Sequence, residues 1–154
     1  MKEFIAPIPR PALVLGLGGL LPFFATAIAS IALDSPPEEA GIADGRAVQA
    51  LGAYGAVILS FLGGVRWGDL LDDSVRINQW MPLTLSVVPS LIAWSALLLG
   101  ATSMLAVLIV GFAFQYSLDR AAVQRGALPE WFGRLRLILT CGALLSLIVT
   151  LLLG

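Results

Sequence analysis

The residues able to do chemistry in this 154-residue chain are few, and they gather in three short stretches. Arg66, Trp67 and Asp69 close the apolar run SFLGGVRWGDLL. Gln115, Asp119 and Arg120 close another, and Glu130, Trp131, Arg134 and Arg136 begin a third. Arginine forks suit phosphate, so this set could hold an anionic head group. Asp69 or Asp119 could in principle serve as a base beside them. No nucleophile–base pair stands out, and the chain has no histidine. That rules out bis-histidine haem, histidine-ligated zinc, copper or iron, and any histidine-based triad. The single cysteine, Cys141, lies in an apolar run and allows no internal disulfide. The expectation is no metal site, no cofactor and no catalytic residue.

The elements that position these residues follow from composition. The chain is 58% hydrophobic and 12% charged. A soluble domain is usually about 45–50% apolar and about 25% charged. A domain of this length cannot hide so much apolar side chain from water, so lipid is the expected solvent. A formal net charge of −1 lacks the basic face that nucleic acid requires, so no nucleic-acid partner is expected.

About 20 apolar residues cross a hydrocarbon core. Five spans are read: 11–33, 47–65, 81–99, 102–118 and 129–153, forming one all-α, polytopic helical bundle over residues 1–154. The region from Met81 to Leu118 would be roughly 57 Å long as one helix, so it must turn back, at Gly100-Ala101-Thr102-Ser103. Whether both of its short halves cross fully stays open. Lys2 and Arg10 before the first apolar stretch imitate a signal peptide, but that stretch exceeds the usual 7–15 residues and reads as a retained helix.

Charge sets the orientation. With the N-terminus in the cytoplasm, the inner segments hold Lys2, Arg10, Arg66, Arg76, Arg120, Arg125, Arg134 and Arg136, and the outer ones Arg46 alone. Such a bias marks the cytoplasmic side, so a periplasmic C-terminus is expected. The outer segment from Asp34 to Arg46 is acidic and holds Pro36-Pro37, which stops the first helix.

Lipid gives no hydrophobic drive between helices, so close packing and interhelical hydrogen bonds must hold the bundle. Gly52, Ala56, Ser60 and Gly64 recur every fourth residue, as do Gly18, Pro22, Thr26 and Ser30, and Gly142, Ser146 and Thr150. Close internal helix contacts are expected there, with an oligomer face as the alternative. Gly16-Leu17-Gly18-Gly19 is an incomplete dinucleotide fingerprint with no strand before it. Pro89 should kink its helix. Trp67, Trp80 and Trp131 fall at the expected cytoplasmic interface, where indole rings settle, whereas Trp94, deeper in its span, should pack inside the bundle.

In this topology three helix ends bring Arg66, Asp69, Gln115, Asp119, Arg120, Arg134 and Arg136 to one depth. Acids and arginines arriving together suggest an ion-pair network, with Arg66–Asp119 and Asp69–Arg134 as candidate pairs. Gln115 and Asp119 share a helical face at i, i+4, and Gln115 needs a partner from within the bundle. A structural network, an anionic head-group site and a docking surface for another membrane protein all remain open.

YGAVILSFLGGVRWG (Tyr54 to Gly68), FQYSLDR (Phe114 to Arg120) and LPEWFGRLRLILT (Leu128 to Thr140) together resemble the transmembrane protein 69 family. This is a domain-of-unknown-function family of small five-span proteins from proteobacteria and mitochondria. The resemblance covers most of the chain, and its most specific part is Gly-Gly-x-Arg-Trp-Gly. It implies a bacterial inner-membrane location and five helices, and carries over no catalytic residue. The family's recurrent polar residues match Arg66, Trp67, Asp119, Arg120, Trp131 and Arg136. The expected function is a non-enzymatic assembly or accessory factor for a membrane complex. Its partners would be membrane lipids and another inner-membrane protein, with the oligomeric state left open. The alternative is a small carrier or anionic-lipid-binding protein using the arginine cluster.

Overall fold

The computed structural model describes residues 7–32, 43–71 and 76–154, and among these the regular structure is entirely helical. Helices α1 (Arg10–Gly18) and α2 (Leu21–Ala32) make up the first apolar stretch. α3 (Ala43–Leu71), α4 (Trp80–Ala96), α5 (Ala101–Gln124) and α6 (Glu130–Leu153) follow, with a short 3-10 turn at Arg76–Asn78 before α4. Four stretches are long and apolar enough to cross a membrane: Arg10–Ala32, Gly45–Leu71, Ala101–Gln124 and Glu130–Leu153. α4, with 17 residues, stands at the lower limit for spanning. The acidic segment expected after Asp34 lies mostly outside the described residues, as does Lys2.

The first stretch breaks where its sequence cannot sustain a helix. Pro22 has no N–H to give the carbonyl four residues back, and Gly18-Gly19 precedes it. The Tyr54 hydroxyl, from α3, donates to the Gly19 carbonyl at 2.9 Å. Phe23, just past the break, meets Tyr54 and Phe112 edge-on, with ring centroids 5.1 and 5.9 Å away.

Helix directions follow from matched contacts. A Cβ on Gly16 would touch Leu139, one on Gly142 would touch Leu20, and Ser30 Oγ lies 3.4 Å from Thr150 Oγ1. The numbers rise together, so α1–α2 and α6 run parallel. Gly52 faces Met104, Gly55 faces Leu108 and Gly111 faces Leu59, so α3 and α5 are also parallel. Gly63 meets Ser86 and Pro89 while Leu59 and Ile92 meet beside Gly111, so α4 runs antiparallel to α3. Gly133 against Val123, with Arg136 against Asp119, makes α6 antiparallel to α5. The five apolar stretches therefore alternate in direction.

α3 corrects two readings of the sequence. Its small residues do pack, but not along the every-fourth line. At about 100° per residue, each four-residue step drifts about 40°, so Gly64 has rotated about 120° away from Gly52. Gly64 is exposed, with nothing within 4 Å of a Cβ placed there, and Ser60 is half-buried. The buried line is Gly52, Ala56, Leu59, Gly63, Arg66 and Leu70, all within about 40° of one direction. The closest backbone approach is Gly63 to the Ser86 carbonyl of α4, beside buried Pro89. α3 also continues to Leu71, so Arg66 lies inside a helix and not at its end. The same spacing argument places Trp94. Ala93 is buried, and the next residue points about 100° away, so Trp94 is 62% exposed and does not pack inside the bundle.

Candidate functional site

The turn between α5 and α6 sets the geometry of the polar cluster. Gly126 adopts φ +73°, the left-handed conformation that suits glycine just past a helix end. Its N–H donates to the Val123 carbonyl at 2.9 Å, and that of Ala127 to the Ala122 carbonyl at 3.0 Å. Pro129 then precedes α6, where its fixed φ and missing N–H cost nothing. Two helices joined by so short a turn must pack antiparallel, which brings Asp119 level with Arg136.

Asp119 is the hub. Its Oδ2 accepts from Arg136 Nε at 2.8 Å, and its Oδ1 accepts from Gln115 Nε2 at 2.9 Å. Arg66 Nη1, on α3, lies 3.7 Å from the same Oδ1. One carboxylate thus joins α3, α5 and α6, and Arg66, Gln115, Asp119 and Arg136 are all buried. A charge-assisted bond such as Arg136–Asp119 is short and roughly twice as strong as a neutral one. Removal from water costs each ion several kcal/mol, so the arrangement persists only because the ions satisfy one another.

Sequence spacing separates the members of the cluster from their neighbours. Arg136 begins the buried line Arg136, Thr140, Ala143, Leu147 and Thr150, and Arg134 lies about 160° round the helix from it. Arg134 is exposed, as is Arg120, and both line an open groove of about 240 Å³ with Tyr116 and Glu130. Asp69 is half-buried on α3, and Trp67 is 44% exposed. Trp131 is half-buried, edge-on to Phe132 at 6.0 Å. Of the residues expected at one depth, four therefore form a buried centre and the others sit around it. Thr140 is a residue that sequence reasoning missed, although its position four after Arg136 was the available signal.

Three buried polar atoms of this region have no hydrogen-bond partner: Gln115 Oε1, Arg136 Nη2 and Thr140 Oγ1. The Gln115 amide is turned by chemistry, since a carboxylate only accepts, and that leaves its oxygen facing away from Asp119. No group of three or more metal-ligating side chains occurs among the described residues.

A second cavity, of about 410 Å³, lies beside the cluster between α1 and α3. α5 and α6 form its floor through Phe112, Arg136 and Thr140, and its walls are apolar.

Residues 8–152 match the family model described as a protein of unknown function, DUF3429. Transmembrane protein 69 of Xenopus tropicalis is 40% identical over 145 residues, covering 91% of this chain and 53% of that protein. Transmembrane protein 69 of Mus musculus is 30% identical over 151 residues, covering 97% and 59%. The chain thus spans somewhat over half the length of these curated relatives. No solved structure matches. With nearly its whole length matched, and with an all-helical bundle of apolar stretches, the chain belongs to the DUF3429 family of transmembrane-protein-69-like membrane proteins.

Proposed function

We propose that this chain is a non-enzymatic accessory protein that assembles with, or stabilises, a larger complex of the bacterial inner membrane. The observation that carries this reading is the state of Asp119. Both of its oxygens are engaged by side chains of the bundle, and the residue is buried at 2% exposure, which supports a structural role over that of a base open to substrate. A general base must reach the proton it abstracts. A carboxylate bonded on both oxygens within a helix interface acts as a staple. The outer face of the bundle is rich in large apolar side chains, among them Phe61, Trp80, Leu91 and Trp94, which suit lipid or another membrane helix.

The orientation belongs to the same proposal. Eight of the nine lysines and arginines fall on one side of five alternating stretches, which supports a cytoplasmic N-terminus and a periplasmic C-terminus. The test is native purification of the tagged chain in a mild detergent, followed by native electrophoresis and mass spectrometry. A stoichiometric second membrane polypeptide is the expected result. A chain that runs alone in several mild detergents, or turnover of a lipid phosphate lost on Asp119→Asn, would overturn it.

A further inference from the structure

We propose that the cleft between α1 and α3 binds a membrane amphiphile, with its apolar chain along the cleft and an anionic head oxygen held by Arg136 and Thr140. The inference goes beyond an accessory role and does not depend on it.

The cleft exists because of the break at Gly18–Pro22. α1 packs against α6, whereas α2 packs against α3 and α6. Below the break, α1 therefore stands away from α3, and a cavity of about 410 Å³ opens between Ala12 and Leu15 on one side and Phe61 and Val65 on the other. Sites for small apolar ligands commonly occupy about 300–1,000 Å³ and combine apolar walls with a few convergent polar groups. This cleft has that character. Leu15 and Phe61 at its edge are 77% and 64% exposed, so in a bilayer the opening faces acyl chains.

The polar end is built from buried side chains. Arg136 is 5% exposed and Thr140 3%, both line the cleft, and each carries a buried atom with no partner, Nη2 and Oγ1. Arg136 Nε is committed to Asp119, but a guanidinium has five N–H donors. Arg136 and Thr140 stand four residues apart on one face of α6. A hydroxyl and a guanidinium both donate to an oxygen acceptor, and a charge-assisted bond favours an anionic one. An unmet buried donor is costly in a medium without water, so a ligand oxygen that satisfies both gains what the empty arrangement lacks. Arg136 is also the one residue common to this cleft and to the polar groove lined by Arg120, Glu130 and Arg134. An apolar chamber and a basic groove therefore meet at one guanidinium. Arg136 lies six residues into α6, about 9 Å along its axis from the helix start.

A phospholipid phosphate and a free fatty-acid carboxylate share this chemistry. The test uses the full chain, delipidated in detergent, with native mass spectrometry of bound phosphatidylglycerol, palmitate and, as a neutral control, a diacylglycerol. Binding of phosphatidylglycerol alone assigns a phospholipid, and binding of palmitate alone assigns a fatty acid. Binding of both assigns any anionic single or double chain. Because Arg136 also holds the bundle, the discriminating variants are Thr140→Val and Ala12→Phe. Thr140→Val keeps the side-chain shape, removes the unpartnered hydroxyl, and should weaken binding about two- to tenfold with thermal stability unchanged or raised. Ala12→Phe should block the mouth and abolish binding. Equal binding of the neutral lipid, no bound anionic lipid, or wild-type binding by both variants would overturn the proposal.

Discussion

Replacing Gly63 with alanine should weaken the bundle more than any other single added methyl on α3. A Cβ there would fall within contact-breaking range of the Ser86 carbonyl oxygen, an atom of the α4 backbone that cannot rotate away. At Gly52 the obstacle is the end of the Met104 side chain, which is flexible and can repack. At Gly64 nothing lies within 4 Å. Overpacking commonly costs about 1–3 kcal/mol, and the rigid obstacle puts Gly63→Ala toward the upper part of that range. Gly52→Ala should fall at the lower end. Gly64→Ala should be neutral or stabilising by up to about 1 kcal/mol, since glycine is the poorer helix former. For a chain of this length, 1 kcal/mol corresponds to roughly 2–4 °C in Tm. Thermal unfolding in one detergent, followed by helical circular dichroism, would rank the three variants. A Gly64→Ala loss equal to that of Gly63→Ala would refute the assignment of the packed face.

Two other outcomes follow from the bundle. Tyr54→Phe removes the hydroxyl that meets the Gly19 carbonyl and should cost about 0.5–1.5 kcal/mol, read as a lower Tm with the helix content retained. A reporter active only in the cytoplasm, fused after Gly154, should stay silent, and activity there would reverse the proposed orientation.

Much of this architecture was legible because lipid imposes it. A chain 58% hydrophobic must satisfy its backbone within helices, and among the described residues the places where the helices turn announce themselves as Gly100 or Gly126-Ala127-Leu128-Pro129. Helix ends were harder to place. Hydropathy stops at Arg66 and Leu118, but α3 and α5 run on to Leu71 and Gln124, because helices keep their hydrogen bonds beyond the hydrocarbon. That difference turned Arg66 from a helix-end charge into a buried one.

The meeting of Arg66, Gln115 and Asp119 could be anticipated from three helix ends at one depth. The choice of Arg136 over Arg134 required the helical angle, which places the former with Thr140 and Ala143. The break at Pro22 carried no signal of a cavity, since a cleft depends on where a neighbouring helix stands and not on the kinked residues alone. Trp94 was misplaced for a related reason: depth along a span says nothing about direction around it.

The central claim is that one carboxylate, Asp119, ties α5 to α6 and α3. A double-mutant cycle tests it most directly, using Asp119→Asn, Arg136→Gln, the double variant, and Arg134→Ala as an exposed control, with unfolding followed in one detergent. Each buried single variant should cost about 3–5 kcal/mol, because it strands a charge or donor inside the bundle. The double variant should cost less than the sum by about 0.5–3 kcal/mol, and Arg134→Ala should stay within about 0.5 kcal/mol of wild type. Additive losses at Asp119 and Arg136, or a loss at Arg134 as large as at Arg136, would contradict it.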